Sequence, residues 1–251
     1  MTDPSDLPQY RPVRVWGGLV RVTHWVNAIG IMLMLLLGGL LYFDDWLGLT
    51  EQREDLLVDI HAMLGFAVAA SLVIRVAYMF AGDGPGSRVS GWRDVVPHTR
   101  QQMQLARATL LYYLGGFRGK PPLYLGHNPL AGFAYSGFFI IALLQVISGA
   151  SIYLLGESIA QTYGGAVLAI GADSASGPVA GEWPPEWLEE MHEIGAFLIS
   201  LFIGAHLLAL ALHDLTEARG LASSMISGDK FFTDGELQEL DISPEQAEEP
   251  E

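Results

Sequence analysis

The chain has no cysteine. That excludes a thioether-attached haem, a structural disulfide, and any iron–sulfur cluster or Cys/His metal site held by this chain. No glycine-rich phosphate loop followed by Lys-Ser/Thr occurs, and no dinucleotide fingerprint lies between a strand and a helix, so nucleotide chemistry is not expected. Charge is also scarce. Only 16% of the 251 residues are charged and 51% are hydrophobic. The few charges are mostly acidic, with 28 Asp and Glu against 13 Lys and Arg, so no nucleic-acid partner is expected.

What fills the chain is blocks of apolar residues without amphipathic period, the pattern of a membrane protein. Four spans are expected, at about 19–43, 60–80, 131–155 and 191–212, each near the roughly 20 residues a bilayer requires. Ala28–Tyr42 at the heart of the first has no charge. That span is too long for a signal peptide, no A-x-A site follows it, and it reads as a retained anchor.

The basic residues set the orientation. Arg11, Arg14 and Arg21 precede or open span one; Arg75 ends span two. Arg88, Arg93, Arg100, Arg107, Arg118 and Lys120 follow it, and Arg219 and Lys230 follow span four. Only Arg53 falls in the loop between spans one and two, and no basic residue falls between spans three and four. The positive-inside rule therefore places both termini in the cytoplasm. The expected fold is an all-α, integral membrane four-helix bundle, residues 1–232. Residues 233–251 carry only acidic charge and read as a disordered, solvating tail.

Seven histidines are present, and four fall at telling depths. His192 and His206 are fourteen positions apart, so they share one helix face and lie about 21 Å apart along the axis. His24 and His61 open spans one and two. Span order puts His61 and His192 near the outer surface, and His24 and His206 near the inner. Two imidazoles at each of two levels suit two stacked b-type haems, each iron held by two histidines. A single histidine near a helix end is more plainly an interfacial residue; four matched in depth favour ligation. Haem b, one copy or two, is the expected cofactor.

A flat macrocycle between helices needs small neighbours, and Gly65, Gly195, Gly204 and Ala205 stand near the ligands in sequence. Arg21, one turn before His24, and Arg75, fourteen positions after His61, are candidate partners for haem propionates. Arg75 is equally well explained as a cytoplasmic anchor. His98 and His213 read as ordinary interfacial residues. His127 precedes Asn128 and Pro129, an ordinary N-cap and first helical turn. Met103–Leu114 could lie as a helix on the inner membrane surface, and the outer loops are acidic.

At several points the residues resemble a known family. Val20-Arg21-Val22-Thr23-His24-Trp25, Gly126-His127-Asn128-Pro129-Leu130-Ala131, His192-Glu193-Ile194-Gly195 with His206, and Ser224-Met225-Ile226-Ser227-Gly228 look like the b-type cytochrome subunit of membrane-bound nickel–iron hydrogenases. That branch sits within the bacterial cytochrome b561-like set, which includes formate dehydrogenase gamma subunits. The likeness runs from about Arg11 to Phe232. It implies axial ligation by His24, His61, His192 and His206. It also implies a hydrogenase (or another periplasmic dehydrogenase) docked outside a bacterial inner membrane, and a quinone reduced near the inner side. His24, Trp25, Asn27, His127, Asn128 and His213 gather there, with His127 and Asn128 as candidate quinone contacts and His127 as a proton donor of near-neutral pKa. Two other functions stay open: a stand-alone cytochrome b561-type quinone oxidoreductase, and a haem-free anchor or transporter.

Overall fold

The computed structural model describes residues 9–81, 91–120, 122–170, 184–217 and 220–242; at residues 94, 156–170 and 217 only the backbone is described. In chain order the elements are β1 (Tyr10–Arg14), α1 (Gly18–Tyr42), α2 (Asp44–Leu47), α3 (Glu51–Ala81), α4 (Trp92–Val95), α5 (Arg100–Leu114), α6 (Pro129–Ile170), α7 (Glu186–Glu217), α8 (Leu221–Ser227), β2 (Asp229–Thr233) and α9 (Asp234–Glu239). Four of them, α1, α3, α6 and α7, are long and apolar enough to cross a membrane. The expected spans all form, and α3 and α7 start earlier than expected. Their first turns carry Glu51 and Glu54, and Glu186 and Glu189, acidic groups that complement the positive end of a helix and let it begin outside the apolar region.

The distribution of side chains identifies the solvent. Ile29, Leu36, Val73, Leu143, Phe197 and Leu208 are all at least half exposed, while Thr23, Ser71, Arg75, Ser148 and His213 are buried. In water each such apolar side chain would forgo about 1.5–3 kcal/mol of burial. Lipid removes that penalty and turns polar groups inward instead. The protein is an all-α, multi-pass membrane protein.

The chain divides into two compact units. One comprises Met1–Asn27, Ser71–Gly137 and Ile203–Glu251; the other comprises Ala28–Ala70 and Phe138–Phe202. His24, Arg75, His127 and His206 belong to the first, and His61 and His192 to the second.

The first unit contains a pair of strands that the all-α expectation leaves out. β1 pairs antiparallel with β2, from Tyr10 opposite Thr233 to Arg14 opposite Asp229. Val13 and Phe232 are fully buried with Leu237, against Leu123, Leu125, Leu240 and Ile242. Arg14 bonds the Asp229 carboxylate at 3.1 Å and the Ser227 carbonyl at 2.8 Å. The ladder ends at Gly228, whose carbonyl accepts from the amides of Val15 and Trp16. Gly228 has φ 94°, and a Cβ there would strike the Arg14 guanidinium and come within 2.9 Å of the Trp16 carbonyl. Only glycine suits that position. Trp16 Nε1 donates to Ser224 Oγ at 3.1 Å, and Trp25 Nε1 to the Met225 carbonyl at 2.9 Å. The Ser-Met-Ile-Ser-Gly segment is thus a structural clasp on the entry to α1. Asp214 caps α8 through the amides of Leu221 and Ala222, at 2.8 and 3.1 Å.

The tail expectation is corrected over its first part. Residues 234–239 form α9, started by a capping box between Thr233 and Glu236. The helix is pinned by buried Leu237 and by ion pairs Arg11–Asp234 and Lys120–Glu239. One buried leucine and two cations from elsewhere supply what the tail's own composition lacks. Residues 243–251 lie outside the described residues, as do residues 171–183 of the acidic, glycine-rich outer segment between spans three and four.

α5 forms where an amphipathic helix is expected, opened by a capping box of Thr99 and Gln102. Ala106, Thr109 and Tyr112 are buried on one face. Met103, Leu110, Leu111 and Leu114 are exposed on another.

Candidate haem sites

In the second unit α3 and α7 bring His61 and His192 together edge-on, ring centres 6.2 Å apart and planes inclined by 70°. Imidazole nitrogens bond metal ions at about 2 Å, so two rings on opposite sides of one ion have centres about 6 Å apart. Each ring is flanked by a glycine on a neighbouring helix. A Cβ at Gly38 of α1 would lie 3.4 Å from His61 Cε1, and one at Gly149 of α6 would lie 3.0 Å from His192 Cε1. His192 Nδ1 is hydrogen-bonded to Ser148 Oγ at 2.9 Å. The buried Nδ1 of His61 has no partner among the described residues. Tyr153 of α6 donates to Asp59 of α3 at 3.0 Å, one half-turn from His61.

The glycines expected beside the ligands do other work. Gly65 makes room for Met34, whose Cε would be 3.2 Å from an added Cβ; Gly195 makes room for Gln145; and nothing lies within 4 Å of one added at Gly204. A missing side chain clears space for whatever faces it from the next helix, not for a residue on its own. Gly38 and Gly149 are the ones that matter, and sequence neighbourhood does not point to them.

In the first unit His24 is within electrostatic reach of His206 and Arg75. Tyr135 stands edge-on to His206 at 6.1 Å, and His127 edge-on to Tyr135 at 5.4 Å. Trp25 lies edge-on to His24 at 5.4 Å. Around them is a concentration of buried polar atoms with no hydrogen-bond partner among the described residues: His24 Nδ1, Asn27 Oδ1, Ser71 Oγ, Arg75 Nη1, His127 Nδ1 and Arg21 Nε. Each such atom costs roughly 1–3 kcal/mol if left unsatisfied, more when charged. Donors and acceptors both occur, which fits a polar or anionic ligand. Arg75 stands out at 8% exposure. Lys230, equally buried, is satisfied by the carbonyls of Leu125 and Gly126 at 2.9 and 2.7 Å and by the faces of Trp16 and Tyr124. Arg21 is held by the Ile226 carbonyl of α8.

Asn128 takes the ordinary role. Its Oδ1 accepts from the Leu130 amide at 2.9 Å, opening α6, and its Nδ2 donates to Tyr113 Oη at 3.1 Å. His213 pairs with Tyr124 Oη at 2.7 Å, and His98 with the Val96 carbonyl at 2.9 Å. His127, in contact with Trp16 at 4.7 Å, differs from expectation in its acidity. Burial pushes its imidazole down to about 3, and the Arg75 and Lys230 cations push the same way. A near-neutral proton donor is therefore replaced by a ring that stays uncharged at physiological pH.

Among the described residues no three histidine, aspartate or glutamate side chains cluster to hold a bare metal ion. Paired histidines with flanking glycines fit a flat macrocycle that brings its own four nitrogens.

The model of the family described as "Prokaryotic cytochrome b561" matches residues 15–228. A Bradyrhizobium diazoefficiens protein named "Probable Ni/Fe-hydrogenase B-type cytochrome subunit" is 26% identical, over 88% of this chain and 87% of its own length. A Rhizobium leguminosarum bv. viciae protein of the same name is 26% identical, over 89% of this chain and 91% of its own. An Escherichia coli K12 protein, "Probable Ni/Fe-hydrogenase 1 B-type cytochrome subunit", is 22% identical over 92% and 93%. No solved structure matches the chain.

Proposed function

This chain belongs to the prokaryotic cytochrome b561 family, and from that membership we propose that it anchors an outward-facing nickel–iron hydrogenase in a bacterial inner membrane and conducts its electrons to the quinone pool. It is in any case a membrane electron-transfer subunit of cytochrome b type. The partner follows the names of its relatives, and the membrane assignment and cytoplasmic termini follow the basic asymmetry. The cytochrome domain is residues 1–232, to which α9 is fastened.

The observation that carries this reading is the close pair His61 and His192, set between Gly38 and Gly149. These two histidines would hold one haem, and His24 with His206 would hold a second. Haem b would supply reversible one-electron transfer there, and with both histidines holding it no position would be left for oxygen. Arg75 and Arg21 would meet the propionates of the inner group. α5 would lie along the inner leaflet, its exposed leucines in lipid and Arg107 at the headgroups. Protein purified in detergent should show a Soret band and two haems per chain, and should copurify nickel and iron–sulfur proteins. Haem without those partners would favour the stand-alone quinone oxidoreductase; no Soret band would leave the haem-free anchor. Reporter fusions at Glu51 should read external, and those at Gly91 and Glu236 cytoplasmic.

Quinone would bind in the first unit beside His127. With its pKa pushed down to about 3, His127 would bind the quinone as a neutral hydrogen-bond partner instead of delivering the proton itself. His127→Ala should lower kcat/KM for quinone about tenfold, the worth of one hydrogen bond of about 1.5 kcal/mol, and His127→Gln should retain more. The sign on stability runs the other way from a paired histidine. The folded pKa lies below the ordinary 6.5, so His127 contributes no change above pH 6.5. It costs stability as pH falls below that, at up to about 1.4 kcal/mol per pH unit. A step in the quinone rate near pH 6.5 that vanishes in His127→Gln would restore the titrating role.

A further inference from the structure

Ser148 sits on α6 with no exposed surface. Its Oγ is 3.2 Å from the Gln145 carbonyl oxygen and 2.9 Å from His192 Nδ1. A hydroxyl has one hydrogen and two lone pairs. A carbonyl can only accept, so that hydrogen points at Gln145 and a lone pair faces the imidazole. The imidazole must then donate from Nδ1–H. A neutral ring protonated at Nδ1 carries its free lone pair at Nε2. The next residue, Gly149, leaves the ring its room: an added Cβ would lie 3.0 Å from Cε1 and 3.8 Å from Nε2. Two consecutive residues of α6 therefore set the proton and the clearance of one imidazole on α7.

His61 is treated differently. Gly38 clears its Cε1, but its Nδ1 has no partner among the described residues. The two rings of the pair are thus chemically unequal. A histidine whose far nitrogen donates a hydrogen bond is the more basic ligand.

We propose that Ser148 is a positioning residue that fixes His192 with its lone pair on Nε2 and makes it the stronger electron donor of the His61–His192 pair. The proposal rests on the reading of that pair as axial haem ligands. A neutral hydroxyl bonded behind an imidazole strengthens it as a ligand less than a carboxylate would. It also adds no charge to the membrane interior, where an ion is costly.

The test uses the full chain in detergent, loaded with haem. Ser148→Ala should keep the Soret band, since both ligands remain. It should release the outer haem to excess apomyoglobin at least tenfold faster, within the roughly 10–100-fold penalty typical of lost second-shell partners. It should also move the outer haem's midpoint potential in the positive direction, because a less basic ligand favours the reduced iron. Ser148→Thr, which keeps the hydroxyl, should return both values toward wild type. Ser151→Ala, on the same helix but bonded only to the Ile147 carbonyl, should change neither. If Ser148→Ala leaves release rate and potential unchanged while His192→Ala abolishes the outer haem, the role of Ser148 is overturned and the ligand reading stands. If His192→Ala leaves the haem spectrum intact, the ligand reading itself is overturned. If Ser148→Ala does not insert, Ser148→Cys offers the same size with a weak acceptor, and wild-type release and potential in that variant would overturn the proposal.

Discussion

His61→Ala and His192→Ala should each abolish the outer haem while the chain still inserts in the membrane. Insertion depends on the apolar runs of α3 and α7, which neither change touches. Haem retention depends on two ligands closing one site, and a single imidazole in an apolar cleft holds iron poorly. The two rings, 6.2 Å apart, make the two losses equivalent: the same spectral component should vanish in both. Haem quantification and difference spectra of membranes measure it. The inner component should survive, because His24 and His206 belong to the other unit. Unchanged spectra in both variants would mean that these histidines hold no haem.

The second large effect is expected at Arg75, and its sign reverses with haem. The guanidinium is 8% exposed and Nη1 has no partner among the described residues. Leucine in its place removes a buried cation whose Nη1 has no partner among the described residues, an unsatisfied group that costs about 1–3 kcal/mol and more when charged. Haem-free Arg75→Leu protein should therefore be more resistant to thermal unfolding than wild type. With haem the balance turns. A charge-assisted hydrogen bond is worth about 1.5–3 kcal/mol, so the variant should hold the inner haem some 10- to 150-fold less tightly. A cytoplasmic anchor with no other role would show neither response. Thermal scans of both forms and stepwise haem titration separate these cases. The titration also counts the haems.

The parts of this protein that were legible in sequence are those governed by a long repeat of one signal. Some twenty apolar residues in a row define a span whatever surrounds them, so all four were readable. The approach of His61 to His192 was legible because helix geometry and span order are arithmetic on residue numbers, and the two rings lie 6.2 Å apart. The strands were not. β1 is five residues long, contains Pro12, and finds its partner more than two hundred residues later. Its trace is the alternation of Arg11, Val13 and Val15 with their neighbours, too short to outweigh an all-helical reading. Ser148 carried no signal either. A serine in an apolar helix ordinarily bonds its own backbone, as Ser148 does to Gln145, and only the packing of α7 against α6 shows that the same oxygen serves His192. His127 could be located but not titrated, because its acidity is set first by burial and then by Arg75 and Lys230, all of which depend on distant parts of the chain.

The pairing of β1 with β2 has a consequence for synthesis. The first strand leaves the ribosome before any transmembrane helix and waits, unpaired, until residue 233 has been made. Local helices can form and insert as they emerge, whereas this ladder joins segments more than two hundred residues apart and closes only after all four long helices have been made. Trp16 and the entry to α1 are clasped by the same late segment, so the environment of His24 is finished last. A chain cut short after α7 would have all four long apolar helices with His24, His61, His192 and His206, yet would lack both the clasp and β2. Maturation of the surroundings of His24 is thereby tied to synthesis of α8 and β2, and a product truncated before them would keep β1 without its partner strand.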